Sequence, residues 1–242
     1  MEKALSNLES HLGRINRDGW YFGNKISTWR KFFQIIEPML GAKGKLDDIA
    51  NEHDNEQLMD LLAEVKYAVI FAQLGFHVDV EPVGCKQQET GGPDLRITRD
   101  NRSSPVEVKR FRSLGRHSPG QRLQRIPDEI PETYRLPAYG DLSKDINKVS
   151  TEIENKFRQA GPAGIIAIWN SNDELSPDEV GTAAFRLKTQ SNHPRKSSFI
   201  LLRGDPGERF SCFKLQDTLM PYHKHWIDEF KQVAPDGFLS RP

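Results

Sequence analysis

The chain has 242 residues, and its 34 lysines and arginines balance 34 aspartates and glutamates, so the formal charge is zero. With no global positive field, a tight nonspecific nucleic-acid binder is disfavoured, and any such partner must be met by local charge. Two cysteines, Cys85 and Cys212, make neither a disulfide framework nor a zinc set, and no apolar stretch reads as a signal peptide or a membrane span, so a soluble protein of the reducing cytoplasm with no membrane partner is expected.

Residues 1–55 read as a helical region set apart from the rest. Ala4, Leu5, Leu8, Leu12 and Ile15 give a first amphipathic helix, and Trp20, Tyr21 and Phe22 an aromatic turn. Trp29, Phe32, Phe33, Ile35 and Ile36 form a second apolar face, closed by Pro38 and Gly41. Aromatic residues at helical spacing point to core packing rather than base stacking. The region is therefore expected to cap the core or to build a dimer interface. Residues 47–55 are acidic and polar and read as a loop or short helix.

Over residues 57–74, Leu61, Leu62, Val65, Ala68, Val69 and Ala72 recur at helical spacing, with Glu64 on the border of that stripe. Gly75 can end the helix in a left-handed conformation. Residues 76–81 then alternate as a strand. Strands are also expected at 94–99 and 105–111, followed by a long loop through residue 139, rich in proline, glycine, tyrosine and arginine. A helix over 142–159 carries Ile146, Val149, Ile153 and Phe157 as its buried stripe, with Lys144 and Lys148 on another face and Lys156 and Gln159 beyond. Residues 164–170 form a continuous apolar run, as in a strand buried on both faces. A polar linker leads to strands at 199–203 and 210–215 around Gly204-Asp205-Pro206-Gly207, extending the sheet. His223, Lys224, His225 and Trp226 belong to a terminal helix, since two alternate histidines without a further ligand poorly support zinc.

The chemistry concentrates in the middle. Asp94 follows Gly91-Gly92-Pro93, and Val106-Glu107-Val108-Lys109 follows shortly after. Leu95 and Ile97 alternate with Asp94 and Arg96, as Val106 and Val108 do with Glu107 and Lys109. A strand repeats every two residues, so each segment separates an apolar face from a chemical one. Neighbouring strands in register would bring Asp94, Glu107 and Lys109 to one side. From Lys109 to Arg125 the chain carries Lys109, Arg110, Arg112, Arg116, Arg122 and Arg125 and no acid, a local basic segment suited to a phosphate backbone.

A Pro-Asp followed by Glu-x-Lys, with Glu64 on an upstream helix, resembles the PD-(D/E)xK nuclease superfamily. The resemblance covers roughly residues 57–170. It implies an α/β restriction-endonuclease-like fold: an αβββαβ core at 56–172 with a mixed central sheet flanked by helices, a helical cap at 1–55, and an α/β extension at 173–242. It further implies a Mg²⁺-dependent nuclease, with Mn²⁺ as substitute, acting on DNA as a restriction, defence or repair endonuclease. RNA cleavage by the same site and a catalytically silent binding member are the alternatives. By that resemblance Asp94, Glu107 and the Val108 carbonyl would hold the metal, and Glu64 a second ion or a metal-bound water. Lys109 would face the nucleophile or a phosphoryl oxygen. Arg110, Arg112, Arg116 and Arg122 would contact nucleic acid, and Lys148 would be the basic residue that the second helix turns toward the cleft. A homodimer would suit paired cuts across a duplex.

Overall fold

The structure, a computed structural model, describes residues 1–17, 26–81, 92–110, 142–169, 177–190, 197–203, 210–217 and 219–232. The aromatic turn at Trp20–Phe22 and the basic loop carrying Arg112, Arg116 and Arg122 lie outside the described residues. Along the chain come α1 (Glu2–Arg17), α2 (Ile26–Ile36), α3 (Ala42–Asn51), α4 (Asn55–Gln73), β1 (His77–Val80), β2 (Leu95–Arg99), β3 (Arg102–Arg110), α5 (Leu142–Ala160), β4 (Ile165–Trp169), α6 (Pro177–Gln190), β5 (Phe199–Arg203), β6 (Ser211–Lys214) and α7 (Pro221–Gln232). The six strands form one mixed sheet in chain order. β1, β2 and β3 pair antiparallel, β3, β4 and β5 parallel, and β6 returns antiparallel to β5.

Each parallel step needs a crossover, and α5 and α6 supply them on one face of the sheet. Val149 and Ile153 of α5 and Val180, Ala183 and Leu187 of α6 pack there on Ile166, Ile168, Ile200 and Leu202. The alternate strand residues, Ile165, Ala167, Trp169, Phe199 and Leu201, join a larger core with α4 and with Trp226, Ile227 and Phe230 of α7. Covered on both faces, β4 and β5 are buried at every position, as the unbroken apolar runs required.

Helix α4 is bounded by local chemistry. Asp54 caps its start, its side chain accepting from the Gln57 N–H at 2.8 Å. At the other end Gly75 (φ 82°) takes the left-handed conformation, and the Phe76 and Gly75 N–H groups return to the Phe71 and Ala72 carbonyls, both at 3.0 Å. The helix is buried nearly all round rather than along one stripe. Trp29, Phe33 and Ile36 of α2 belong to the same apolar cluster and cover the side the sheet leaves open. The N-terminal helices are thus continuous with the main core.

One expectation is corrected. The polar linker after β4 contains helix α6, whose Val180, Ala183, Ala184 and Leu187 bury a helical stripe within a polar setting. Of the two forms expected for the acidic stretch after Asp47, a short helix is found in its first part: it belongs to α3, which begins at Ala42 and buries Ala42, Leu46 and Ile49. Among the described residues, no helix is long and apolar enough to cross a membrane.

Candidate active site

The register of β2 on β3 places Leu95 opposite Val106, so the next rung sets Asp94 beside Glu107. The Val108 N–H donates to Asp94 Oδ2 at 2.7 Å, fixing the carboxylate that immediately precedes β2. Val106 and Val108 pack toward α4, which leaves Glu107 and Lys109 on the α5 side. There Lys156 meets Glu107, and Lys109 meets Glu152 at 2.7 Å. The pairing follows from matched spacings. Two residues along a strand advance about 6.7 Å and four along a helix about 6 Å. A strand Glu-x-Lys can therefore face a helix Glu-x-x-x-Lys with every charge opposite its complement.

Glu64 arrives from the other layer. Glu56, Asp60 and Glu64 recur every four residues and line one face of α4. Arg110, at the end of β3, takes the first two: its Nη2 is 2.6 Å from Glu56 and its Nε 2.9 Å from Asp60. One turn beyond Glu64, the buried Tyr67 hydroxyl donates to the Ile168 carbonyl at 2.6 Å. Bolted to the sheet on both sides of Glu64, the helix can neither slide nor roll away. Glu64 then meets Lys45 of α3 at 2.5 Å, and Lys45 also meets Glu81 at 2.6 Å.

The backbone around Lys45 is tightly drawn. A Cβ on Gly41 (φ 83°) would come within 1.7 Å of the Val80 carbonyl oxygen, so only glycine lets α3 start against the end of β1. Leu40 accepts from the Val80 N–H at 2.8 Å. Glu81 itself has φ 44°, unusual for a residue with a side chain, and its N–H donates to the Asp94 carbonyl at 2.8 Å. The strained residue thus joins Lys45 to the backbone of Asp94.

Glu64, Asp94 and Glu107 come from three separate elements and lie close enough to perturb one another. Burial, then repulsion from Asp94, raises both Glu64 and Glu107 to about 8. Asp94 is raised as well, by burial, against the pull of Lys156, the Val108 N–H and Lys45. Burial alone would lower the two lysines, but their carboxylate partners outweigh it and both are raised. Crowded acids therefore stay hard to ionise even with an ammonium in direct contact. Glu107 Oε2 is buried and meets no N–H donor, and the Asp94 carboxyl lies within hydrogen-bond reach of the Glu107 side chain.

Hard oxygen donors, mutual repulsion and a buried oxygen that meets no N–H donor suit a hard divalent cation such as Mg²⁺. Among the described residues, no three His, Cys, Asp or Glu side chains are arranged as a ready metal cluster. Each of the outer two carboxylates instead meets an ammonium, Lys45 holding Glu64 and Lys156 holding Glu107.

One sequence expectation is corrected here. Arg110 does not face a nucleic acid: its side chain is buried, because it shares strand parity with Val106 and Val108. Lys148 is exposed on α5, and the α5 lysine in contact with a site carboxylate is Lys156. The structure also adds Lys45, Glu81 and Glu152, which sequence reasoning missed. Lys45 and Lys156 did carry a signal, since each interrupts an apolar stripe: Ala42, Lys45, Leu46, Ile49 and Val149, Ile153, Lys156, Ala160. No family model, curated protein or solved structure matches the chain.

Proposed function

We propose that this protein is a metal-dependent phosphodiester hydrolase, a DNA endonuclease built on a restriction-endonuclease-like core. One observation carries the reading: Glu64, Asp94 and Glu107 converge at one end of the sheet and are held above the ordinary carboxylate range, although Lys45 touches Glu64 and Lys156 touches Glu107. A fold gains nothing in stability from such crowding, which is how sites prepared for a cation behave.

Asp94 and Glu107 would hold Mg²⁺, with the Val108 carbonyl as a further donor by the superfamily resemblance. The ion, when bound, would supply charge to the phosphate oxygens and lower the pKa of a bound water. The Val108 N–H orients Asp94. Lys156 touches Glu107, and Lys109, two residues along the same strand, pairs with Glu152; both ammonium groups would stabilise charge growing on the phosphoryl oxygens, a contact stronger in the transition state than before it. Arg110 acts at a distance, keeping α4 and hence Glu64 in place. The same reading puts the protein in the cytoplasm with its substrate, and a homodimer would place two sites on opposite strands.

The test is incubation with supercoiled plasmid, single-stranded DNA and RNA, each with Mg²⁺ and with EDTA. Mg²⁺-dependent nicking of plasmid is expected. Cleavage confined to RNA would reassign the substrate, and binding without cleavage of any of the three would refute the hydrolase.

A further inference from the structure

The two lysines at the site are held differently, and the difference bears on how many ions it takes. Lys156 touches a single carboxylate, reaches it from an α5 position near the rim, and keeps 23% of its side chain exposed. An arriving cation can displace it from Glu107 while its ammonium stays beside the site, where a phosphoryl oxygen would meet it. Lys45 is 4% exposed, lies between Glu64 and Glu81, and occupies a core-facing position of α3. The start of that helix is locked by the Gly41 approach to Val80. Neither the side chain nor its backbone has anywhere to go.

A two-ion site needs carboxylates that bridge cations about 4 Å apart, each replacing water on both ions. Glu64 is the carboxylate that would complete such a pair, and it is committed to an immovable ammonium 2.5 Å away. Building on the metal-dependent reading above, we propose that the Lys45 ammonium takes the place of a second metal ion, so that this site binds one divalent cation, through Asp94 and Glu107, with Glu64 kept off it. Lys45 is then a positioning residue: it fixes the charge and direction of Glu64 without touching the metal or substrate.

Mn²⁺ titration of the full chain, followed by the electron paramagnetic resonance of free Mn²⁺, counts the bound ions. Wild type is expected to bind one per chain, and Glu64→Gln also one, with affinity weakened by no more than about 100-fold, the loss of one nearby charge. Lys45→Met should admit a second ion by releasing Glu64 and Glu81, and Lys45→Met with Glu64→Gln should return to one. Two ions in wild type, loss of the ion in Glu64→Gln, or a folded Lys45→Met that still binds one would overturn the proposal. Wild type and Glu64→Gln decide the matter even if Lys45→Met does not fold. Binding of no ion by wild type would instead overturn the metal-dependent reading, and this inference with it.

Discussion

Replacing Asp94 with asparagine separates the cation role of the site from its part in the fold. Asparagine keeps the shape and an acceptor for the Val108 N–H, which reaches Asp94 Oδ2 at 2.7 Å. Loss of the charge-assisted part of that bond costs about 1 kcal/mol. The charge also repels Glu64 and Glu107 and attracts Lys156 and Lys45. Each such interaction is roughly 3 kcal/mol for unit charges about 5 Å apart at an effective dielectric of about 20. Burial, the largest influence on Asp94, disfavours its charge and outweighs the two attractions, so removing that charge does not by itself cost stability. Stability in EDTA should therefore change by no more than about 1–2 kcal/mol, a few degrees in melting temperature for a chain of this size. Mg²⁺ at about 100 times its Kd should raise the wild-type melting temperature by about 5–10 °C, from roughly 2.7 kcal/mol of linkage. Differential scanning calorimetry across a Mg²⁺ series should show no rise for Asp94→Asn. A variant stabilised by Mg²⁺ as much as wild type would refute the metal role, and one that unfolds in EDTA would refute the charge balance.

The metal-free protein should lose stability as pH rises. Glu64 and Glu107 titrate near 8 when folded and near 4.5 when free, so the folded state holds extra protons between those values and loses that advantage on the way up. His223, lowered by burial from 6.5 to about 4, acts oppositely below pH 6.5, so the window to measure in EDTA is pH 6.5 to 8. A melting temperature that climbs across it would contradict the raised carboxyls. Arg110→Ala should cost about 2–3 kcal/mol in denaturant unfolding, because it strips the partner from Glu56 and Asp60. The salt slope of DNA binding should stay unchanged, and a slope reduced by about one would return Arg110 to the interface. Lys109→Ala and Lys156→Ala should each slow single-turnover cleavage about 100-fold or more with the Mn²⁺ count unaltered, and full activity in both would remove the ammonium groups from the chemistry. Gly41→Ala should destabilise by about 3 kcal/mol or more, since its Cβ would lie 1.7 Å from the Val80 oxygen; a change under about 1 kcal/mol would show that α3 can move away.

Period carried most of the fold. Helical spacing marked α4 and α5, alternation marked β1, β2 and β3, and an apolar run marked β4, each within a few residues of its observed bounds. Helix α6 escaped because its four small and aliphatic core residues lie in a polar segment whose average masks their spacing. Arg110 was legible by strand parity and was misread by charge: next to a basic loop it resembled a phosphate contact, although Val108 and Val106, two and four residues before it, are buried.

The sequence by itself determined which residues of each strand share a face, because alternation is local geometry that depends on no distant residue, and the register that sets Asp94 beside Glu107 came from the sheet. Only the tertiary structure decided which lysines answer them. Lys45 lies 62 residues before Glu107 and Lys156 lies 49 after it, so neither spacing nor propensity couples them. Their meeting depends on how α3 and α5 pack on opposite layers, and packing is settled by the shape and volume of the whole core.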